Sequence, residues 1–221
     1  MNFTAVAVDG PAGAGKSTVS KAVAKMLGFT YIDTGAMYRS VALYCIRKGI
    51  DCKEDAEKVV AILDEIDLRI KYFDGAQHVF LNGEDVSDVI RVEEVSVGAS
   101  NVAVIPEVRQ KLVMIQREMS KTDNVIMDGR DICTYVLPDA QVKIFLTASA
   151  EARAARRYKE LCEKGVECNY EQIMADILYR DKNDSERKTA PLKQAPDAVL
   201  IDTSDMTFEE AVAKVKALIT G

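Results

Sequence analysis

The stretch Val6–Thr18 reads V-A-V-D-G-P-A-G-A-G-K-S-T, and its spacing decides the fold. Gly10, Gly15, Lys16 and Ser17 satisfy G-x-x-x-x-G-K-[S/T], the pattern of a phosphate-binding loop. Such a loop must bring backbone amides together on phosphate oxygens, which requires close approach and φ/ψ values that glycine adopts at little cost. Gly10, Gly13 and Gly15 supply that freedom and Pro11 stiffens the turn, so the expected cradle runs Gly10, Pro11, Ala12, Gly13, Ala14, Gly15, Lys16, Ser17 and Thr18. A helix starting near Lys16 would aim unsatisfied N–H groups at the anion. The Lys16 ammonium would reach the β/γ-phosphates and the Ser17 hydroxyl would ligate Mg²⁺. Both flanks agree: Ala5–Val8 is an apolar strand-like run, and Val19, Ala22, Val23, Met26 and Leu27 recur at helical spacing.

The 221 residues suffice for one sizeable core with small insertions, and 48% hydrophobic with 29% charged residues is ordinary globular composition. No apolar run reaches the ~18 residues of a membrane span, and residues 1–20 lack a signal-peptide design. A soluble, cytoplasmic protein is therefore expected. The net charge of -6 argues against a binder of nucleic-acid polymers or membrane surfaces, which present a basic face. Cys45, Cys52, Cys133, Cys162 and Cys168 form no C-x-x-C pair and read as reduced thiols. The single histidine, His78, reads as a surface residue.

Outward from the loop, Phe29–Asp33 reads as a short strand, and a helix follows to Lys48-Gly49. Glu54–Ile66 reads as another helix. Around Leu68, Ile70 and Tyr72 the period drops to two; Asp74-Gly75 reads as a turn and Asn82-Gly83 as a hairpin turn. This antiparallel piece, about 67–90, interrupts the β-α alternation as an insertion; a substrate cover and a structural flap are both open as its use. Helices are expected over Val92–Val104 and Pro106–Lys121, strands over Asn124–Asp128 and Val142–Leu146. Helices Ala150–Lys164 and Tyr170–Ser185, a strand Ala198–Asp202 and a helix Phe208–Ile219 complete the chain. The order predicts an α/β, three-layer fold of the P-loop class: a parallel central sheet, a small antiparallel insertion and a helical lid at about 150–188, all within one domain, 1–221. Ligands in such sheets collect beyond the C-terminal strand ends, so the loops after Val8, Ile32, Met127 and Leu146 are expected to face one cleft.

Arg39, Arg130 and Arg153 fall in or just after those loops, and guanidinium groups suit bidentate phosphate recognition. Arg153, Arg156 and Arg157 share one helix face, and Arg180, Asp184 and Arg187 repeat the arrangement on the next helix. Two arginine-bearing helices in an acidic protein suggest a lid that closes over phosphates. Phosphoryl transfer needs water excluded and relies on positive charge more than on covalent help from the protein. Neither a GTPase switch arrangement nor a guanine-reading N-K-x-D is present.

Beyond the phosphate loop, the chain carries D-T-G-A-M-Y-R (Asp33–Arg39), G-E-D-V-S (Gly83–Ser87), I-R-x-x-E-V (Ile90–Val95), A-S-N-V-A (Ala99–Ala103) and P-E-V-R (Pro106–Arg109). D-G-R-D (Asp128–Asp131), V-K-I-F-L (Val142–Leu146), R-D-x-N-D-x-x-R (Arg180–Arg187) and A-P-L (Ala190–Leu192) follow. Over nearly its whole length this resembles the bacterial cytidylate kinases, nucleoside monophosphate kinases of the P-loop class. The resemblance implies transfer of the γ-phosphate of ATP to CMP or dCMP, with Mg²⁺; a monomer is expected because the sequence suggests no extensive apolar partner face. It implies that Ser100, Arg109 and Asp131 read cytosine; a carboxylate accepts from the exocyclic N4 amine that uracil lacks. It further implies that Arg39 and Arg130 hold the CMP phosphate, that Arg180 and Asp184 lie near the ribose, and that Asp33 belongs to the acceptor site. Lys16, Arg130, Arg153, Arg157 and Arg187 would form the catalytic charge set, Arg153 and Arg157 on the ATP side and Arg187 as a lid arginine. Ser17 replaces a glycine found in some members, and Lys188-Thr189 a shorter stretch. The rival readings are a kinase for UMP or another small molecule, and a nucleotide-dependent switch module.

Overall fold

Val6, Ala7 and Val8 are fully buried, as expected of a central strand in a parallel sheet covered on both faces. The computed structural model describes residues 3–73 and 76–221. Its elements in chain order are β1 (Ala5–Asp9), α1 (Lys16–Leu27), β2 (Thr30–Asp33), α2 (Thr34–Arg47), α3 (Ala56–Ala61), β3 (Leu68–Phe73), β4 (Ala76–Leu81) and β5 (Glu84–Asp85). There follow α4 (Glu93–Val102), α5 (Pro106–Met119), β6 (Val125–Gly129), β7 (Val142–Thr147), α6 (Ala150–Glu163), α7 (Tyr170–Glu186), β8 (Val199–Asp202) and α8 (Phe208–Thr220). The chain divides into two compact units, Met1–Tyr31 with Asp123–Gly221, and Ile32–Thr122.

The central sheet is parallel, five-stranded and ordered β2-β6-β1-β7-β8. In the first unit Val6 of β1 stands opposite Ile126 of β6 and Val142 of β7. Val19, Val23 and Ala24 of α1 and Ala211, Val212 and Val215 of α8 pack with Val8, Ile144, Leu146 and Ile201 into its core. Helix α1 stops where Gly28 takes φ 68°, and α8 starts with a reciprocal Thr207/Glu210 capping box. Because β1, β6 and β7 run parallel, the loops that follow them leave the same sheet edge.

In the second unit, Met37 and Val41 of α2 pack with Ala99 and Val102 of α4, Leu112 of α5 and Ile90. The expected antiparallel piece is a three-stranded sheet, β3-β4-β5, with Leu68 opposite Leu81 and Phe80 opposite Asp85. Asn82 and Gly83 take φ 50° and 86°, the two positive values of the hairpin turn their sequence predicts. The expected Asp74-Gly75 turn lies outside the described residues. His78 is half-buried rather than on the open surface: its ring stacks on Phe73 and Nδ1 lies 2.9 Å from Asp85 Oδ2.

Two elements differ from the sequence reading. Glu54–Ile66 is not one helix, because the Asp51 carboxylate takes the Lys53 and Glu54 amides into a turn, delaying α3 to Ala56. At its far end a 3₁₀ turn, Leu63–Glu65, replaces the last helical turn, with the Leu63 carbonyl accepting from Lys111 Nζ. The second is a π-helical turn, Ile132–Val136, directly after the D-G-R-D motif.

The tightest joint is Gly10, whose φ is 146° and where an added Cβ would stand 1.9 Å from the Leu146 carbonyl oxygen. Gly10→Ala should therefore cost about 3 kcal/mol or more, through overlap and backbone strain together. Urea unfolding at neutral pH measures it; a loss under about 1 kcal/mol would mean the loop yields freely.

Candidate active site

In the first unit the site is built where β1 and β6 end. Strand β1 runs into the loop Gly10–Gly15, with Gly13 and Gly15 at φ 75° and 86°, and Lys16 opens α1. Lys16 is buried, and its Nζ donates to the Pro11 carbonyl at 2.7 Å. Burial, then the neighbouring Arg130 charge, pull the Lys16 ammonium below its ordinary pKa, while Asp128, Asp9 and Asp184 oppose that pull. A cation so poorly solvated gains most from a phosphate oxygen.

Ser17 Oγ donates to Asp128 Oδ2 at 2.6 Å, and Tyr31 OH donates to Asp128 Oδ1 at 3.1 Å. A hydroxyl and a carboxylate side by side at a helix start are oxygen donors that suit Mg²⁺, which takes one or two protein oxygens and completes its shell with water and phosphate. Among the described residues no group of three or more His, Cys, Asp or Glu could hold a metal. Asp128 is a functional candidate to which the sequence reading gave no role. Its signal was present: a carboxylate closing the apolar run N-V-I-M-D.

Two charge pairs follow β6. Arg130 Nε donates to Asp184 Oδ2 at 2.8 Å, joining the β6 loop to α7. Burial pushes the Asp184 carboxyl up, but Arg130 and Arg187 outweigh it and hold the group below its usual range. Arg187 Nη2 donates to Asp131 Oδ1 at 3.1 Å, both side chains being buried. Removing one member of such a pair costs about 3–5 kcal/mol, because the other charge is left buried. Arg180 is half-buried on α7 and adds its charge near Asp184.

The arginines of α6 part company. Arg153 is buried and forks onto Asp181 of α7 at 3.0 and 2.6 Å, while its Nη1 also donates to the Ala12 carbonyl of the phosphate loop at 3.0 Å. Arg156 donates to Thr203, and Arg157 pairs with Glu160 one turn along its own helix at 3.0 Å. Arg153 is thus tied to the loop, and Arg157 lies along the helix surface. Asp181 went unmarked in the sequence because its partner stands on another helix.

In the second unit, Asp33 caps α2: its Oδ1 accepts from the Ala36 amide at 2.9 Å and its Oδ2 from Arg39 Nη2 at 2.8 Å. Burial opposes its charge, yet Arg39 and Arg91 prevail and lower the pKa. Gln77 of β4 meets the same corner, its Oε1 accepting from the Asp33 amide at 2.9 Å. Ser100 of α4 and Arg109 of α5 are both buried; Arg109 donates to the Ala103 carbonyl and its guanidinium lies 5.9 Å from the Tyr38 ring centre. Burying an arginine this deeply is costly unless the charge is paired and hydrogen-bonded.

A family model described as cytidylate kinase matches residues 6–221. The chain belongs to the cytidylate kinase family. A relative from Caldicellulosiruptor saccharolyticus named cytidylate kinase is 54% identical, covering 96% of this chain and 94% of its own. One of the same name from Caldanaerobacter subterraneus is 55% identical over 97% and 94%. Among solved structures, a protein from Eubacterium ventriosum superposes with TM-score 0.53 at 11% identity, over 99% of both chains. A gluconokinase from Sinorhizobium meliloti gives 0.50 at 14%, over 98% of this chain and 91% of its own; both are likenesses of fold. Membership of the cytidylate kinase family makes the chain a nucleoside monophosphate kinase with ATP as phosphate donor.

Asp9 also went unmarked as an individual. Fully buried, its two oxygens accept from the Ile132 and Cys133 amides at 2.8 Å each, pinning the π-helical turn that follows Arg130 and Asp131. Burial pushes its pKa up to about 6 against the two amides. Between an unfolded value of 3.8 and about 6 the folded protein binds the extra proton, so this group's contribution to stability falls as pH rises through that window. The stability of wild type minus that of Asp9→Asn should drop by roughly 2–3 kcal/mol from pH 4 to pH 6. Denaturant unfolding at stepped pH checks it, and a flat difference would contradict the assignment.

Proposed function

We propose that this chain transfers the γ-phosphate of ATP to CMP or dCMP, forming ADP and CDP or dCDP. The observation that carries the reading is the end-to-end match to proteins named cytidylate kinase, at about half identity. The charge set gathered at the phosphate loop agrees with it. An acceptor phosphate oxygen, anionic at neutral pH, attacks the γ-phosphorus as the bond to the bridging β-γ oxygen breaks and ADP departs. No general base is needed. Two polyphosphates repel each other, so the chemistry depends on cations already in position.

Lys16 and the loop amides of Gly10–Thr18 hold the β- and γ-phosphates on this reading. Ser17 with Asp128 would hold Mg²⁺, which when bound offsets charge on the phosphate oxygens. Arg39 and Arg130 grip the acceptor phosphate, oriented by Asp33 and Asp184; Arg180 and Asp184 serve the ribose side. Ser100, Arg109 and Asp131 read the cytosine. Arg153 steadies the phosphate loop, while Arg157 and Arg187 act from the lid, Arg187 exchanging Asp131 for phosphate oxygens as nucleotide arrives. The whole chain then acts as one kinase domain, a cytoplasmic monomer.

Uracil offers a carbonyl where cytosine offers N4–H₂, so it would face the Asp131 carboxylate acceptor to acceptor. In a coupled ADP-release assay with ATP and Mg²⁺, CMP and dCMP should be turned over well ahead of UMP, AMP and GMP. Asp131→Asn keeps a polar partner for Arg187 and should cut kcat/KM for CMP roughly 10–100-fold, with a much smaller effect on the KM for ATP. Preference for UMP or AMP, or no rate above the blank without acceptor, would reject the reading.

A further inference from the structure

The α6–α7 connection holds a pair of thiols that the kinase chemistry does not use. At the end of α6, Gly165 takes φ 69°, its amide donates to the Cys162 carbonyl at 3.0 Å, and the Val166 amide reaches the Leu161 carbonyl at 3.0 Å. This closing motif turns the chain back sharply. Asn169 then caps α7 by accepting from the Gln172 amide at 2.9 Å. With both ends of the connection fixed, Cys168 is laid back against α6. Its Sγ lies 4.0 Å from the Tyr158 carbonyl and 3.8 Å from Cys162 Sγ. The Tyr158 and Tyr170 rings, edge to face at 6.1 Å, brace the same corner.

We propose that Cys162 and Cys168 form a modification site, a dithiol that a low-molecular-weight disulfide such as oxidised glutathione converts to an intramolecular disulfide bracing the α6–α7 corner. The exchange has two steps. The exposed Cys162 thiolate attacks one sulfur of oxidised glutathione, forming a mixed disulfide and expelling one glutathione thiolate. Cys168 then attacks Cys162 Sγ, forming the Cys162–Cys168 bond and expelling the second. Two protein thiols are oxidised, one glutathione disulfide is reduced to two thiols, and the protons lost by the cysteines are taken up by the departing thiolates. The order follows from the setting: Cys162 is exposed, whereas Cys168 is half-buried and its thiol is pushed up by burial and by the neighbouring sulfur. The sulfurs stand 3.8 Å apart, so forming the bond of about 2.05 Å requires them to close by less than 2 Å. A soft-metal site is the poorer reading, since among the described residues no third Cys, His or carboxylate joins the pair. Cys45, Cys52 and Cys133 are buried and serve as internal controls.

The folded, reduced protein is incubated with excess oxidised glutathione, then denatured, blocked by alkylation and examined by intact mass and tryptic mapping. Lys164 lies between the two cysteines, so trypsin separates their peptides unless a disulfide joins them. The expected result is a loss of two hydrogens and one cross-linked pair, Cys162 with Cys168, while Cys45, Cys52 and Cys133 stay alkylatable. Cys168→Ser should stop at the first step and keep one glutathione on Cys162. Stable glutathione on wild-type Cys162 or Cys168 without the cross-link, or recovery of both thiols free, overturns the proposal.

Discussion

The structure depends on one close approach: the backbone of Gly10 lies against the Leu146 carbonyl, where no side chain fits. That contact lets the phosphate loop leave β1 and enter α1 while staying pressed against β7. The placement of Lys16, Ser17 and Arg153's tie to Ala12 all follow from it. A loop displaced by the width of a methyl group would still be rich in glycine. It would no longer bring its lysine, its serine and the β6 carboxylate to one point.

The second constraint is electrostatic. The first unit concentrates Lys16, Arg130, Arg153 and Arg187 in low solvent exposure, and each has a polar partner: Pro11, Asp184, Asp181 and Asp131 respectively. Desolvation would otherwise make such a cluster prohibitively costly. The partners keep the charges tolerable before substrate arrives and hold each guanidinium in a defined direction. Cations preoriented in this way need little reorganisation when phosphate charge comes in, which is the form of catalysis phosphoryl transfer rewards most. Asp9 extends the scheme from behind, fixing the backbone that follows Arg130 and Asp131.

Much of this was legible in the amino-acid order where signal and structure are local. Strand, glycine loop and helix at Val6–Leu27 announce themselves by period and by Lys16-Ser17, and Asn82-Gly83 writes its hairpin in two residues. What stayed hidden is nonlocal or competitive. The break-up of Glu54–Ile66 comes from a side chain, Asp51, outcompeting the helix for two amides. The π-helical turn at Ile132 exists because Asp9, a distant residue, caps it. Arg153 and its neighbours share a face in sequence, yet each is claimed by a different partner, and no helical spacing tells Asp181 from Glu160 or Thr203. The acceptor-side residues were legible only through resemblance, since buried Ser100 and Arg109 have no pattern that marks them singly.

The charge gathered at the phosphate loop serves transfer to a nucleotide rather than hydrolysis. Following the γ-phosphate tests it most directly: the protein is given γ-labelled ATP, Mg²⁺ and CMP, and the label is located by chromatography. Label is expected in the β-phosphate of CDP, in step with ADP formation and with little inorganic phosphate. Label released chiefly as inorganic phosphate, at a rate indifferent to CMP, would contradict it.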